Sequence, residues 1–297
     1  MKDTTRDDAG MILVNVLMFV AIAAGLVMLM IDREELALDR SLRVREAARA
    51  AAVVQGGEIS ALVALRRDAQ VAPDTDSVAE PWATLAENKA KIDGGTFDLA
   101  ISDAEGKFNV NLLRSGSAAS VIVFEQIAAA AGVDRDTTLK AVEQVRLRGP
   151  FTDLRPLRFA GLDAATLKRL EALVTALPGD TAINLNAASP EVLALLFRDP
   201  GIADRLVQVR ARQGFLTLQD LADQNVSLPP GTSFRSNTFW VRSRVTIGDT
   251  VQQGATLIQR SLDERGVRHV VPVERWLGAA IPPDAPAFGQ VEDRTAG

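Results

Sequence analysis

The residues able to do chemistry in this chain are few in kind. It has no cysteine and a single histidine, His269. Disulfides, thiolate nucleophiles and metal sites built on thiolates or several imidazoles are therefore excluded. Carboxylates are plentiful, with 38 Asp and Glu, yet no nucleophile-elbow, phosphate-loop or EF-hand spacing organises them. The oxygen-rich turns Gly248-Asp249-Thr250 and Asp263-Glu264 offer calcium-type donors without a ligand pattern, so no metal-ligating residue is assigned. His269 stands in a strand-like stretch and reads as a surface residue. No catalytic residue can be named, and the chain reads as something other than an enzyme.

Two other patterns have chemical meaning. Asn109-Val110-Asn111 and Asn184-Leu185-Asn186 place paired amides at helix entries, where they can bond local backbone. Residues 183–221 also resemble a helix-hairpin-helix module of the kind found in DNA-uptake receptors. In that stretch Ser189 is a candidate N-cap, Pro190 opens a helix, and Pro200-Gly201-Ile202 turns into the next. Such hairpins offer turn amides to a phosphate. Here the second glycine of the turn is replaced by Ala203 and followed by Asp204. Arg198, Arg205, Arg210 and Arg212 are balanced by Glu191, Asp199, Asp204 and Asp220, a net charge of zero. The whole chain carries −5, and phosphate recognition needs a positive field. A structural role is therefore favoured over DNA binding. Phe108-Asn109-Val110-Asn111 followed by Gly149-Pro150-Phe151 is a weaker echo of the same unit, which points to two copies.

These patterns must be positioned by a larger frame. Residues 11–31 are apolar except for Asn15 and carry no charge, enough to cross a hydrocarbon core of about 30 Å. Helix-favouring sequence continues without proline to Asp68, broken only by Gly56-Gly57, which marks a bend or a close contact. Five arginines (33, 40, 43, 45 and 49) follow the apolar run, against Lys2 and Arg6 before it. Positive-inside counting alone would put the C-terminal side in the cytoplasm, but the rule weakens for long translocated domains. Roughly 250 residues remain for globular structure.

Residues 69–95 read as a loop with a short helix. Phe97, Leu99 and Ile101 alternate as a strand, and Lys107–Asn111 is expected to pair with it across the turn 103–106. A helical block follows from Ser115 to about Gln224. Period-two patterning returns at Phe239-Val241-Ser243-Val245, and residues 255–262 and 267–273 flank the turn 263–266 as a hairpin. The tail from Gly278 reads as disordered. Helices enclosed between strands of one sheet define an α+β chain with an insertion.

The polar start ending in Gly10, then Met11 and the long apolar run, resembles a prepilin leader. Asp103 through Asn111 and Ile183 through Ala188 resemble two motifs of the K-type minor pseudopilins of type II secretion. The resemblance spans nearly the whole chain. It implies a pilin-like fold, a long N-terminal helix packed on an antiparallel β-sheet, with a large inserted α-helical domain. It implies cleavage between Gly10 and Met11 by the prepilin peptidase and methylation of Met11. It also implies a place at the pseudopilus tip, with I- and J-type minor pseudopilins and the secretion machinery as partners. Asn15 then stands where most pilins carry Glu. No cofactor is required; calcium is a possible ligand in the family, with no ligands assigned here. The expected division is a leader at 1–10, a helix at 11–68 with 11–31 in the membrane, a β domain from 69–113 and 229–276, an inserted helical domain at 114–228 and a disordered tail at 277–297. The body is expected in the periplasm of a single-pass inner-membrane protein. The competing reading is a membrane-anchored helix-hairpin-helix protein for DNA binding or uptake.

Overall fold

The computed structural model describes residues 5–71 and 75–289. One helix, α1, runs from Thr5 to Val71, passing through Gly10 and Met11 without a break. Residues 1–4 of the expected leader lie outside the described residues. From Leu13 to Ile31 every large apolar side chain is more than half exposed. The helix is long and apolar enough there to cross a membrane, and it is the chain's membrane anchor.

The second half of α1 packs on an antiparallel sheet. Ala50, Gly57, Ala61, Leu65 and Asp68 are buried on it, at the spacing that keeps one helix face inward. The sheet has the order β1-β2-β7-β8-β9, with β1 Glu87–Ile92, β2 Gly95–Asp103, β7 Thr238–Ile247, β8 Thr250–Leu262 and β9 Arg268–Leu277. Phe97, Leu99, Phe239, Val241 and Ile258 meet α1 and Trp82 on one face. Trp240, Ala255 and Leu257 point to the other, as the period of two requires.

Gly57 is where helix and sheet come closest. A Cβ on it would lie 2.7 Å from Ser243 Oγ and 3.0 Å from Phe97 Cζ, whereas one on Gly56 would meet nothing within 4 Å. Gly57 thus allows a close contact, and Gly56 does not require its glycine. Gly57→Val is expected to destabilise by about 1–3 kcal/mol through overpacking. Gly56→Ala should stabilise by up to about 1 kcal/mol through helix propensity. Thermal melts of the two variants check the pair; equal shifts would contradict the packing.

The expected first hairpin is corrected. Gly94, at φ +78°, turns the chain between β1 and β2, so β2 pairs with β1 and β7. Residues 108–109 form β3, a two-residue parallel bridge to β4, Val174–Thr175. Phe108, Val110 and Leu113 belong to the core of the insertion. Asp103 Oδ1 accepts from the Glu105 amide and turns the chain out of the sheet. The sheet is left after Asp103 and re-entered at Thr238, rather than at the expected 113 and 229. The C-terminal hairpin follows the pattern read for it: β8 and β9 pair antiparallel around Asp263–Gly266.

The insertion holds α2 Ala118–Ala130, α3 Arg135–Arg148, α4 Ala164–Glu171, α5 Pro190–Phe197, α6 Pro200–Gln213 and α7 Leu218–Asp223. It also holds β5, Ile183–Asn184, bridged in parallel to β6, Thr232–Ser233. α4 ends at Glu171, and Val174 and Thr175 just beyond it form the bridge with β3. The insertion leaves the sheet at the end where Arg260 of β8 meets Asp68 near the C-terminus of α1. Glu46 and Arg49, nearer the anchor, meet Thr250 and Asp93 at the opposite end. The inserted domain therefore lies past the far end of the helix, away from the membrane.

The tail is also corrected. Residues 278–289 fold back on the sheet, with Ala285 buried; residues 290–297 lie outside the described residues.

Candidate functional site

The paired asparagines organise the insertion into two copies of one unit. Asn109 Oδ1 accepts from the Asn111 and Leu177 amides. Its Nδ2 donates to the Leu177 and Gly179 carbonyls. Asn111 holds Phe151 at both its N–H and its C=O, each at 2.9 Å. In the second copy Asn184 Oδ1 accepts from the Asn186 amide, and Asn186 Oδ1 accepts from Leu216 N at 2.6 Å. All four asparagines are buried. Each satisfies backbone groups of the irregular segments around the short parallel bridges, such as Leu177, Phe151 and Leu216, as buried polar groups must be. The Asn-x-Asn spacing seen in the sequence is a fastening device.

The hairpin turn lacks the free amides a phosphate would need. Ser189 Oγ caps α5 by accepting from Val192 N. Asp199 caps α6: its Oδ1 accepts from Gly201 N at 2.8 Å and Ile202 N at 3.2 Å. The equivalent turn before α3 is capped by Asp134, which accepts from Thr137 N. The chain's own carboxylates occupy both positions. Arg210 is turned inward to the carbonyls of Leu185, Asn186 and Ala188, away from any external anion.

The densest polar site lies where α1, the sheet and the insertion meet. Arg260, with a side chain 7% exposed, bridges Asp68 at 2.6 Å and Asp76. Its guanidinium lies 4.4 Å over the Phe239 ring, which Trp82 packs edge-on. Asp76 Oδ2 accepts from Ser236 N. Asn184 Nδ2 shares its two N–H groups among the Asp76 carbonyl, Asp103 Oδ2 and Ser236 Oγ at 2.7–3.0 Å. Asp103 also accepts from Ser236 Oγ. One network thus ties the end of the stem to the root of the insertion. Sequence reasoning found Asn184 but missed Asp68, Asp76, Ser236 and Arg260. Arg260 as the one charged residue of β8 was the available signal.

Burial pushes Asp103 up to about 6, against the bonds it accepts. Glu105, buried with Oε1 unpaired, and Glu80, which accepts from Trp82 Nε1, are both pushed by burial to about 7. A carboxyl raised in the fold favours folding while protonated and loses that contribution as pH rises through 6–7. Glu58 and Asp98 are instead lowered. They titrate below the ordinary carboxyl range near about 4, so they are silent above pH 5. The protein should therefore melt about 3–6 °C higher at pH 5 than at pH 8. A melting temperature that rises with pH across this window would contradict the assignment.

Asp68, Asp76 and Glu80 place oxygens within 4.8 Å of one another, the one such group among the described residues. Arg260 already bonds the two aspartates, so a calcium ion there would face a guanidinium. Asp263 is likewise engaged: its carboxylate accepts from the amides of Arg265 and Val267 and lies against His269. Neither donor set fits calcium.

Asn15 is exposed on the anchor, and Gly10 and Met11 lie in the same helix. An apolar stem running onto an antiparallel sheet, with helices inserted between its second and third strands in spatial order, defines a pilin-like subunit. The comparisons narrow that class. The profile of type II secretion system (T2SS) protein K matches residues 183–240, the span of the second asparagine unit and the start of β7. Type II secretion system protein K of Pseudomonas aeruginosa is 30% identical over 305 residues, covering 87% of this chain and 90% of that protein. The Klebsiella pneumoniae protein K is 25% identical, covering 84% and 92%. A crystal structure of the GspK-GspI-GspJ complex from enterotoxigenic Escherichia coli matches with a TM-score of 0.62 at 20% identity, covering 80% of this chain and 99% of that one. The chain belongs to the protein K family and serves type II secretion as a minor pseudopilin.

Proposed function

We propose that this subunit caps the pseudopilus and is matured by cleavage between Gly10 and Met11, with methylation of Met11. The observation that carries the tip position is the place of the insertion, past the membrane-distal end of α1. A bulky domain there occupies the space in which the head of a further subunit would stack. Asn15 supports the same position. In a low-dielectric helix bundle, an acidic residue offsets the α-amino charge of a neighbouring subunit. A terminal subunit has no neighbour above it to neutralise and needs no carboxylate.

In this reading the C-terminal body lies in the periplasm, where a translocated domain of this size overrides the arginines after the anchor. The partners are the I- and J-type minor pseudopilins, prepilin peptidase and the secretion machinery; the solved GspK-GspI-GspJ complex is the analogy for the first two. Nucleic acid is not a partner, because Asp134 and Asp199 fill the turn amides. The role is architectural and not catalytic, and it needs no metal, since Arg260 satisfies the aspartates nearest one another.

Mass spectrometry of the protein from membranes should find N-methyl-Met11 at the mature terminus. An intact Met1 would overturn the maturation. Asn15→Glu should reduce secretion and co-purification of the I- and J-type subunits at least several-fold, because it buries an unpaired charge. Unchanged secretion would remove the positional meaning of Asn15.

A further inference from the structure

We propose that the C-terminal segment Gly278–Gly289 is a latch that holds the inserted domain at a fixed angle to the sheet and stem. The segment crosses the sheet face opposite α1, and it has a foothold on each body. On the insertion side, Asp284 Oδ1 accepts from Lys107 Nζ and Oδ2 from Thr175 Oγ1, both at 2.8 Å. Lys107 lies in the linker that carries the chain from β2 into the insertion, and Thr175 lies in β4 within it. One carboxylate therefore grips the entry linker and the first parallel bridge together. On the sheet side, Arg242 Nη1 donates to the Pro286 carbonyl. The Phe288 ring lies 4.7 Å from the Arg242 guanidinium carbon and 4.5 Å from that of Arg244. Between the two footholds, Ala285 is buried with Trp240, Ala104 and Leu177, which come from the sheet, the linker and the insertion.

The geometry explains why a latch is needed here. The insertion joins the sheet through only two chain crossings, after Asp103 and before Thr238. Two adjacent crossings act as a hinge unless contacts on both sides resist rotation. The Arg260–Asn184 network resists it on the side of α1. On the opposite face Leu177 clusters with Trp240 and Leu257, Asp284 and Ala285 lock that contact from the tail, and Gln259 adds a weaker bond to the Pro178 carbonyl at 3.4 Å. The asymmetry of Asp284 fits this role: its side chain is 15% exposed and its lysine partner 33%, so the pair is shielded yet reachable from solvent. The inference goes beyond the tip reading and does not depend on where in the pseudopilus the subunit sits.

Hydrogen–deuterium exchange on the full chain in detergent tests it. The proteins compared are the wild type, Asp284→Ala, a chain ending at Leu277, and the double reversal Lys107→Asp with Asp284→Lys. Asp284→Ala and the shortened chain should exchange about tenfold faster at residues 104–107 and 173–178, with α6 and the centre of β8 unchanged. The double reversal should return those amides towards the wild-type rate. Unchanged exchange at both stretches would overturn the latch. So would an increase spread evenly over the sheet, which would make the segment a simple cover. If the shortened chain loses protection everywhere, Asp284→Ala and the reversal decide by the same two stretches.

Discussion

Arg260→Met is expected to cost about 3–5 kcal/mol of folding stability. The cost comes less from the lost attraction than from what stays behind. Asp68 and Asp76, with side chains 3% and 1% exposed, would remain charged with no cation beside them. The methionine keeps the packing over Phe239, so cavity formation contributes little. Chemical denaturation followed by tryptophan fluorescence reads the effect directly, because Trp82 packs on Phe239 within the same cluster. Two companions fix the cause. Lowering the pH to 5 should recover part of the loss, as the stranded carboxyls take up protons. Adding Asp68→Leu and Asp76→Asn should recover more, since a buried ion network can be exchanged for apolar groups at small cost. If Arg260→Met unfolds at the wild-type denaturant concentration, the network does not tie the stem to the head.

Asn184→Ala should follow at about 2–4 kcal/mol, more than any surface change in the insertion. Its amide satisfies Asp76, Asp103 and Ser236 from one side and the Asn186 backbone from the other. Truncation leaves several buried groups unpaired at once, and each carries its own desolvation penalty. Asn184→Asp discriminates the mechanism. It keeps size and shape but removes the donors and sets an anion against Asp103, so it should be worse than alanine at pH 8. At pH 5 the gap should narrow. An aspartate tolerated as well as asparagine at pH 8 would show that the amide hydrogens do not matter. The loss should also loosen the root of the insertion, because the Asn184 side chain donates to Asp103 and Ser236, which flank the two chain crossings.

The legible parts of this fold were those governed by local rules. An uncharged apolar run of membrane length must form a helix, since every backbone group in it has to be bonded internally. The Asn-x-Asn pairs announced themselves because their spacing is short and their bonding partly local: Asn109 and Asn184 each accept from the amide two residues on. The last three strands showed in their alternation, and the turn at Asp263 in its own Asx bonds.

What stayed hidden is equally specific. β1, Glu-Asn-Lys-Ala-Lys-Ile, alternates only at Ala90 and Ile92, too short and too weakly apolar a pattern to stand out, because it is an edge strand with mostly exposed residues. It pairs through backbone bonds that any sequence can make. Lys107–Asn111 had strand-like spacing, but Phe108 and Val110 found a larger core in the insertion than any hairpin offered. The tail looked unstructured because its prolines and small residues form no periodic element. It is nonetheless held by Asp284, Ala285 and Phe288, whose partners lie far away in the chain.

The sequence by itself determined the anchor, the class of fold, the family and the absence of thiol or multi-histidine chemistry, because composition and short-range spacing decide those. Tertiary structure alone decided that Arg260 would meet Asp76 and Asp68, 184 and 192 residues away. It also decided that the tail would bridge two bodies and that Gly57, not Gly56, would touch the sheet. Those outcomes depend on which surfaces are brought together when α1 docks, a matter of long-range packing that no local pattern encodes.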